Sequence, residues 1–303
     1  LATSGATSTV TQTTNGVRIE WQTLNVAAGE TLKFVQPSAS AVALNIIKGG
    51  VATEILGNLQ ANGNVFILNP NGVLVGAGAQ VTVGGFMAST DDLVSFNAAN
   101  GGTVLQANNS TAEVRNAGSI VATSGGMVAL VGNQVINTGT IVAPGGGIYL
   151  LGGGRAEFKP GDGSPFTYSL TTDSVRDKSV TNTGTLRANV GQIVMDARTT
   201  KQAVVNARGV LDASGVSQGP DGSIRLTALG GHGQITLQTS KNNLKPGSTG
   251  TVTAQLDAGG TFTKVLGDPN SPGAASQDTD GWLSAQDKTY DGTTAATVTI
   301  DVK

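Results

Sequence analysis

A nine-residue pattern that returns along the middle of the chain is the feature that most constrains its fold. VRNAGSIVA at Val114–Ala122 returns as VINTGTIVA at Val135–Ala143 and as VTNTGTLRA at Val180–Ala188, and a weaker copy occupies Val204–Ala213. The copies begin 21, 45 and 24 residues apart. Short apolar runs separated by Asn and Gly bends, without an amphipathic helical pattern, predict an all-β chain.

A period of 20 to 24 residues with no helix inside the unit predicts a parallel β-helix. Each repeat would form one coil, and successive coils would pair in parallel at about 4.8 Å. Asn and Gly at the bends tolerate positive φ, and stacked Asn side chains can form a hydrogen-bonded ladder. A leucine-rich repeat needs a regular Leu and Asn framework that is missing here, and a β-sandwich remains the alternative.

The long interval between the second and third copies predicts an insertion outside the coils. The polar, Pro-containing stretch from Arg155 to Lys178 is the best candidate. Insertions on a solenoid map to loops on its faces, so Arg155, Phe158, Phe166 and Tyr168 form a candidate contact surface. An extra hairpin that covers a coil end is the alternative.

The two ends of the chain differ from the repeat region. A solenoid needs covered ends to prevent edge-to-edge pairing, and residues 1 to about 40 are the predicted amino-terminal cap. The repeat is no longer visible after about residue 240, where Lys241–Gly247 and Asp268–Gly273 have the composition of linkers or turns. We therefore expect a β-helix domain over residues 1–245. Residues 246–303 would be a linker and the start of a further unit, in a chain cut from something longer.

Composition excludes several classes of function. Charged residues are 13% of the chain and the net charge is −2, so no basic surface for nucleic acid is expected. The absence of Cys excludes disulfides and thiolate metal sites. No apolar run approaches the roughly 18 residues of a membrane-spanning helix. The first residues lack the features of a signal peptide, so a targeting segment was absent or has been removed.

Catalytic and metal-binding side chains are not predicted. Asp91 and Asp92 are the only adjacent acidic pair of the repeat region, and neighbouring strand residues face opposite sides. The other aspartates show no spacing that would gather them: Asp173, Asp177, Asp196 and Asp212. His232, the sole histidine, lies in a Gly-rich stretch typical of a solvated loop. No cofactor is expected.

The tetrapeptide Asn69-Pro70-Asn71-Gly72 fits a β-turn position by position. Asn69 can accept a hydrogen bond from its own backbone, Pro70 fixes φ, and Asn71 and Gly72 suit the third and fourth places. By itself the tetrapeptide predicts only a tight turn between two strands of one coil.

The context of this turn resembles the signature of two-partner secretion domains, which head filamentous haemagglutinin-like exoproteins. The resemblance lies in Ala61–Val73, and it extends to Ile19–Val26, Glu30–Pro37 and Gly84–Thr90. It covers about 240 residues. A match in several parts is far more specific than the tetrapeptide.

This resemblance implies a right-handed parallel β-helix with an amino-terminal β cap. It also implies a secretion motif, Asn69, Pro70, Asn71 and Gly72, that a cognate outer-membrane β-barrel transporter recognises. The transporter's periplasmic domains would bind the unfolded or partly folded chain, which then crosses the pore and folds outside. We expect a monomer, secreted or on the bacterial surface, whose contacts with polysaccharide or host cells belong to the rest of the exoprotein.

Two details favour an adhesin. A second Asn-Pro-Asn motif, present in some members, is reduced here to Asn45 within Val42–Ile47, which places the chain in the single-motif branch. Tyr290–Thr294 resembles the opening of YDG-type adhesin repeats. A carbohydrate-active β-helical enzyme and the head of a contact-dependent toxin or cytolysin remain the alternatives.

Overall fold

A computed structural model describes most of the first 200 residues and a series of strands beyond them. The described segments are 1–159, 166–173, 175–198, 202–207, 210–213, 223–229, 234–238, 244–245, 252–257, 261–265, 283–285 and 295–302. Within these segments the regular structure consists of β-strands only. The predicted all-β fold is confirmed.

Three sheets, named A, B and C, run along the molecule. Sheet A contains, in spatial order, β1 Ala2–Ser4, β2 Thr7–Thr11, β4 Thr31–Val35, β7 Asn58–Ala61, β10 Gln80–Val83, β15 Ser119–Ala122, β18 Thr140–Val142, β23 Thr185–Arg187, β26 Val210–Asp212 and β29 Leu244–Lys245.

Sheet B contains β3 Gly16–Trp21, β5 Val42–Ile47, β8 Asn64–Leu68, β11 Gly85–Ser89, β16 Met127–Val131, β19 Gly147–Gly152, β24 Gln192–Arg198, β27 Ser223–Leu229, β30 Val252–Asp257, β33 Ala295–Val302 and β32 Leu283–Ala285. Sheet C contains β6 Thr53–Ile55, β9 Val73–Val75, β14 Glu113–Asn116, β17 Gln134–Asn137, β22 Lys178–Asn182, β25 Gln202–Ala207, β28 Gln234–Gln238 and β31 Thr261–Val265.

The chain visits sheets A, B and C in turn, and each visit to all three makes one coil. Coil 1 contains β2 and β3, coil 2 is β4 to β6, coil 3 is β7 to β9, and coil 4 is β10, β11 and β14. Coil 5 is β15 to β17, coil 6 is β18, β19 and β22, and coil 7 is β23 to β25. Strands of successive coils pair in parallel, and the repeat copies stack in register, with Val114 opposite Val135, Val135 opposite Val180 and Val180 opposite Val204. The predicted parallel β-helix is confirmed.

Apolar side chains that point inward stack coil upon coil to form the core. In sheet A, Ile120 lies opposite Ile141, which lies opposite Leu186, and all three are 0% exposed. Because successive strand residues point to opposite faces, the intervening side chains of sheet A face solvent. Buried side chains at the same position of successive coils therefore build a continuous apolar column.

The ends of the solenoid differ from their predicted limits. Of the first 40 residues only β1 departs from the coil, by pairing antiparallel with β2, whereas β2 already pairs in parallel with β4. At the other end β30 and β31 continue sheets B and C in parallel register. The coils thus extend through Val265, beyond the predicted linker start at residue 246, before β33 adds antiparallel to β30.

A fourth sheet, named D, covers the outer face of sheet B. It consists of β12 Asp92–Phe96, β13 Thr103–Gln106, β20 Arg155–Lys159 and β21 Thr167–Leu170, all paired antiparallel. The strands leave the coils in two excursions, one within coil 4 and one within coil 6. A second apolar core forms between the sheets, where Phe66 and Met87 of sheet B meet Leu105 and Phe158 of sheet D. Double coverage explains why sheet B strands are buried on both faces.

Candidate functional site

The Asn-Pro-Asn-Gly segment forms the predicted tight turn at the corner between β8 and β9. The N–H of Gly72 donates to the carbonyl oxygen of Asn69 at 3.0 Å, which closes the turn. The N–H of Asn71 donates to Oδ1 of Asn69 at 2.9 Å. Gly72 has a φ of 112°, a left-handed conformation that favours glycine. The hydrogen bonds and backbone conformation of the turn therefore account for Asn69 and Gly72 at their positions.

Asparagine side chains fasten this turn to the corner of coil 2. Nδ2 of Asn69 donates to the carbonyl oxygen of Val51 and to Oγ1 of Thr53, both at 3.0 Å. Nδ2 of Asn71 donates to the carbonyl oxygen of Gly49 at 2.9 Å. Asn69 is 0% exposed, whereas Pro70 and Asn71 are exposed. The motif thus divides into an inner residue that is fully bonded and an outer pair that faces solvent.

Coil 4 holds the same turn from the other side. The N–H of Asn69 donates to the carbonyl oxygen of Ser89 at 2.9 Å. Oγ of Ser110, at the end of the first excursion, donates to the carbonyl oxygen of Pro70 at 2.5 Å. Sequence reasoning missed Ser110, because no local pattern places it 40 residues away on this turn.

Asn45, the remnant of the second motif, lies inside a strand rather than in a turn. It belongs to β5 and is 0% exposed. Its Oδ1 accepts a hydrogen bond from Nε1 of Trp21 at 2.9 Å, and its Nδ2 donates to the carbonyl oxygens of Ala43 and Phe66 at 3.1 Å. The Trp21 indole therefore satisfies the buried amide beside the first coil.

The predicted contact surface of the insertion is largely part of the second core. Phe158 is 0% exposed, which corrects the expectation that it faces a partner. The Phe166 ring meets the Phe66 ring edge to face, with centroids 6.2 Å apart. Tyr168 packs at 5.1 Å from the Tyr149 ring and donates to Oδ2 of Asp196 at 3.2 Å. The strands that carry Phe158 and Tyr168 form a hairpin, but it covers the outer face of sheet B and not a coil end. Arg155, which is half-buried, remains a predicted contact residue.

A buried ion cluster, not foreseen from the sequence, lies where the two excursions rejoin the coils. The Lys178 side chain is 0% exposed, and its Nζ lies 3.5 Å from Oδ2 of Asp173. Arg176 donates to the same oxygen at 2.9 Å. Asp91, 5% exposed, faces this group across coil 4. Two distant segments meet here and bring Asp91 near Asp173, which corrects the expectation for Asp173, whereas Asp196 and Asp212 pair elsewhere.

Burial and charge set the protonation of this cluster. Desolvation raises the pKa of Asp91 to about 6, although the Lys178 charge opposes the rise. Burial also acts to raise the pKa of Asp173, but hydrogen bonds from Val175 and Arg176 and the charge of Lys178 outweigh it, so that pKa is lowered. Desolvation lowers the pKa of Lys178. The enclosure of Lys178, Asp91 and Asp173 leaves no open groove for a substrate at this cluster.

A second buried carboxylate, Asp196, is paired within sheet B. Nε and Nη2 of Arg198 donate to it at 3.0 and 2.8 Å. Burial raises the pKa of Asp196 against these bonds. This pair ties β24 to β21 of sheet D through Tyr168.

Neither a metal site nor a membrane-spanning helix is found in the described segments. They contain no group of three or more His, Asp or Glu side chains close enough to hold a metal ion. No helix in the same segments is long and apolar enough to cross a membrane. His232 and Tyr290–Thr294 lie outside the described residues.

Known proteins similar to this chain share its fold or part of its sequence. The heme/hemopexin-binding protein of Haemophilus influenzae strain Rd is 40% identical over 93 residues, which are 31% of this chain and 10% of that protein. A second H. influenzae protein of the same name is 41% identical over 85 residues, 28% of this chain and 9% of that protein. The match thus spans about a tenth of these relatives.

A solved structure and a family model extend the match to most of the chain. The HMW1 secretion domain from Haemophilus influenzae has a TM-score of 0.57 and 20% identity to this chain, and the alignment covers 86% of this chain and 80% of that domain. That likeness concerns the fold. The model of the TPS secretion domain matches residues 1–237. The chain therefore belongs to the family of TPS secretion domains, found in exoproteins exported by two-partner secretion.

Proposed function

We propose that this chain is the amino-terminal secretion domain of a large exported adhesin. A cognate outer-membrane transporter would recognise it through periplasmic domains, pass it through the pore and deliver it to the cell surface. Residues 1–245 would act as the secretion domain, a monomer, and a linker and the start of an adhesin repeat would follow the last parallel strands, β30 and β31, within residues 246–303. Membership of the TPS secretion domain family supports the export route.

One observation carries the proposed recognition step: the secretion motif is split between buried and exposed residues. The Asn69 side chain is 0% exposed, and its amide and its oxygen are both bonded inside the domain. A partner can therefore contact the Asn69 side chain only before coils 2 and 3 stack. After stacking, only Pro70 and Asn71 of the motif are open to contact.

Recognition of an incompletely folded chain agrees with the way a solenoid is built. Each coil pairs mainly with its neighbours, so folding can proceed coil by coil from one end. Coils that stack outside the cell cannot slip back through a pore, which would draw the chain outward without ATP. The same domain would then present the edge on which downstream coils stack.

The structure favours a structural role over carbohydrate catalysis for the acidic residues. Asp91 and Asp173 are each 5% exposed and face the enclosed Lys178. An enzyme that cleaves a polysaccharide would need carboxylates that line an open groove. Contact with a ligand, as the names of the heme/hemopexin-binding relatives describe for those whole proteins, would belong to the rest of the exoprotein.

The test is export of the Asn71→Ala variant from cells that express the cognate transporter. Asn71 is exposed, and its replacement removes the side-chain bonds to Gly49 and to Oδ1 of Asn69. The bonds from Asn69 to Val51 and Thr53 stay in place, so the purified variant should keep the wild-type circular dichroism. The amount of chain outside the cell should fall several-fold. Asn97→Ala is the matched control, because Asn97 is an exposed asparagine that closes a turn outside the motif. Undiminished export of the Asn71 variant would overturn the proposal.

A further inference from the structure

A line of hydrogen bonds runs from the secretion turn across three further coils. Oγ of Ser110 in coil 4 donates to the carbonyl oxygen of Pro70 at 2.5 Å. The carbonyl oxygen of Ser110 accepts from Nδ2 of Asn133, which follows β16 in coil 5. Oδ1 of Asn133 accepts from Nζ of Lys178, the first residue of β22 in coil 6. The turn in coil 3 is thereby connected to a residue more than 100 positions along the chain.

The buried position of Lys178 carries a large desolvation penalty for an ammonium group. Its side chain is 0% exposed, and a buried charge is strongly destabilising unless it is paired and hydrogen-bonded. Asp173 and Asn133 provide that pairing. An apolar residue would fill the same space without this penalty, so packing alone does not explain why a lysine stands at this position.

The segment that carries Ser110, residues 108–110, is also held by hydrogen bonds from the second excursion. Nη2 of Arg176 donates to Oδ1 of Asn109 at 3.0 Å, and Nη1 donates to Oδ2 of Asp173 at 2.9 Å. Nδ2 of Asn108 donates to the carbonyl oxygen of Thr90 at 2.9 Å. Residues 108–110 are thus held between Thr90 on one side and Arg176 of the second excursion on the other, with Ser110 directed at Pro70.

We propose that Lys178 is a positioning residue that latches the secretion turn, so that the turn closes fully only in a chain whose first six coils have stacked. This rests on the proposed export function, because it concerns the turn through which recognition is proposed. Arrival of Lys178 in coil 6 orders Asn133 and Ser110 over Pro70. Pro70 and Asn71 are then held in the conformation that the folded domain exposes.

Amide hydrogen exchange of the purified domain tests the latch without the transporter. The Lys178→Met variant retains a chain of similar length but donates no hydrogen bond to Asn133. Amides of residues 69–72 and 108–112 should exchange about tenfold faster, whereas those of β16, in the core of coil 5, should keep their rates. Lys159→Met is the matched control, because Lys159 lies on the same excursion and its side chain is 67% exposed.

Two further variants separate the latch from the loss of a buried charge. Ser110→Ala removes the last link, changes no charge and should accelerate exchange of residues 69–72 to a similar extent. The double variant Asp91→Asn/Lys178→Met removes a carboxylate that Lys178 would otherwise balance. It should recover global stability in part while exchange at the turn stays fast. Wild-type exchange at the turn in either variant would overturn the latch.

The latch and the proposed function fail independently, because hydrogen exchange is measured on the purified domain without a transporter. The Asn71→Ala export measurement reports on the proposed function separately, so the two failures are distinguishable.

Discussion

Nδ2 of Asn137 donates a hydrogen bond of 2.8 Å to Oδ1 of Asn182, although 45 residues separate them in the chain. Asn116 donates to Asn137 in the same way at 2.8 Å, and Asn182 donates to Asn206 at 2.7 Å. All four side chains are 0% exposed. The ladder therefore joins coils 4 to 7, and the second excursion lies in the sequence between its members Asn137 and Asn182.

Replacement of the ladder's inner members should destabilise the domain more than replacement of its first member. Asn137→Ala removes the acceptor of Asn116 and the donor of Asn182, and a buried polar group without its partner costs about 1 to 3 kcal/mol. Asn116→Ala leaves only one ladder neighbour without its partner, because the preceding coil carries Val75 at this place. Urea denaturation should rank Asn137→Ala as the less stable variant.

Gln134→Ala is the matched control for the ladder. Gln134 is exposed on the same strand, β17, so its replacement should change the free energy of unfolding by less than about 0.5 kcal/mol. A ladder of no energetic importance would give the same unfolding midpoint for the Asn137 and Gln134 variants.

The repeat made the ladder and the coil register predictable from sequence. Asn116, Asn137 and Asn182 stand at the same place of successive copies, and parallel stacking in register brings equivalent residues opposite one another. The tight turn at Asn69 followed from the preferences of its residue types alone. Local chemistry and periodicity thus determine the coils.

The excursions and their contacts depend on information that periodicity does not contain. Coils 2 and 3 carry Ile55 and Val75 where later coils carry Asn, so the repeat has no visible start before residue 114 and the excursion at 92–112 was not recognised. The stretch from Asn97 to Gly102 between two apolar runs was its only local cue. The charges of Lys178 and Asp91 interact only because the first excursion departs and the second returns at one corner.

Gly72→Ala should destabilise the secretion turn through its backbone. A φ of 112° is unfavourable for any residue with a Cβ, and such strain costs on the order of 1 to 3 kcal/mol. The added Cβ would also lie 3.3 Å from the carbonyl oxygen of Glu113. The free energy of unfolding, measured in urea, should fall by this amount. Gly50→Ala, at a site with no atom within 4 Å of the added Cβ, should be nearly neutral, and an equal loss in both variants would contradict the assignment.

Phe158→Ala should loosen sheet D from sheet B. The ring is 0% exposed in the second core, and truncation of a buried Phe to Ala costs about 3 to 5 kcal/mol. Limited proteolysis should then cut first within 92–106 or 155–170, before the parallel coils are attacked. Val94→Ala provides the comparison, since Val94 is 49% exposed on the same sheet and its truncation should alter neither stability nor cleavage. First cleavage of the variant inside sheets A or C would show that sheet D does not depend on this ring.

Asp91 should make stability depend on pH between about 4 and 6. Desolvation raises its pKa in the folded chain from 3.8 to about 6, partly offset by Lys178. Between these values the folded chain holds a proton that the unfolded chain has lost, so the contribution of Asp91 to stability increases as pH falls through this window. Above pH 6 both states are ionised, and the folded chain bears a penalty of at most roughly 3 kcal/mol.

Asp91→Asn removes this titration while it keeps the shape of the side chain. The variant should be more stable than the wild type at pH 7 to 8, and the difference in the free energy of unfolding should shrink towards zero as the pH falls to about 4. Groups remote from Asp91 titrate equally in both proteins and cancel in the comparison. Asp92→Asn, at an exposed neighbouring residue, should show no such convergence. A difference for Asp91→Asn that stays constant from pH 8 to 4, or grows as the pH falls, would mean that the buried carboxylate is already stabilised in its charged form by Lys178.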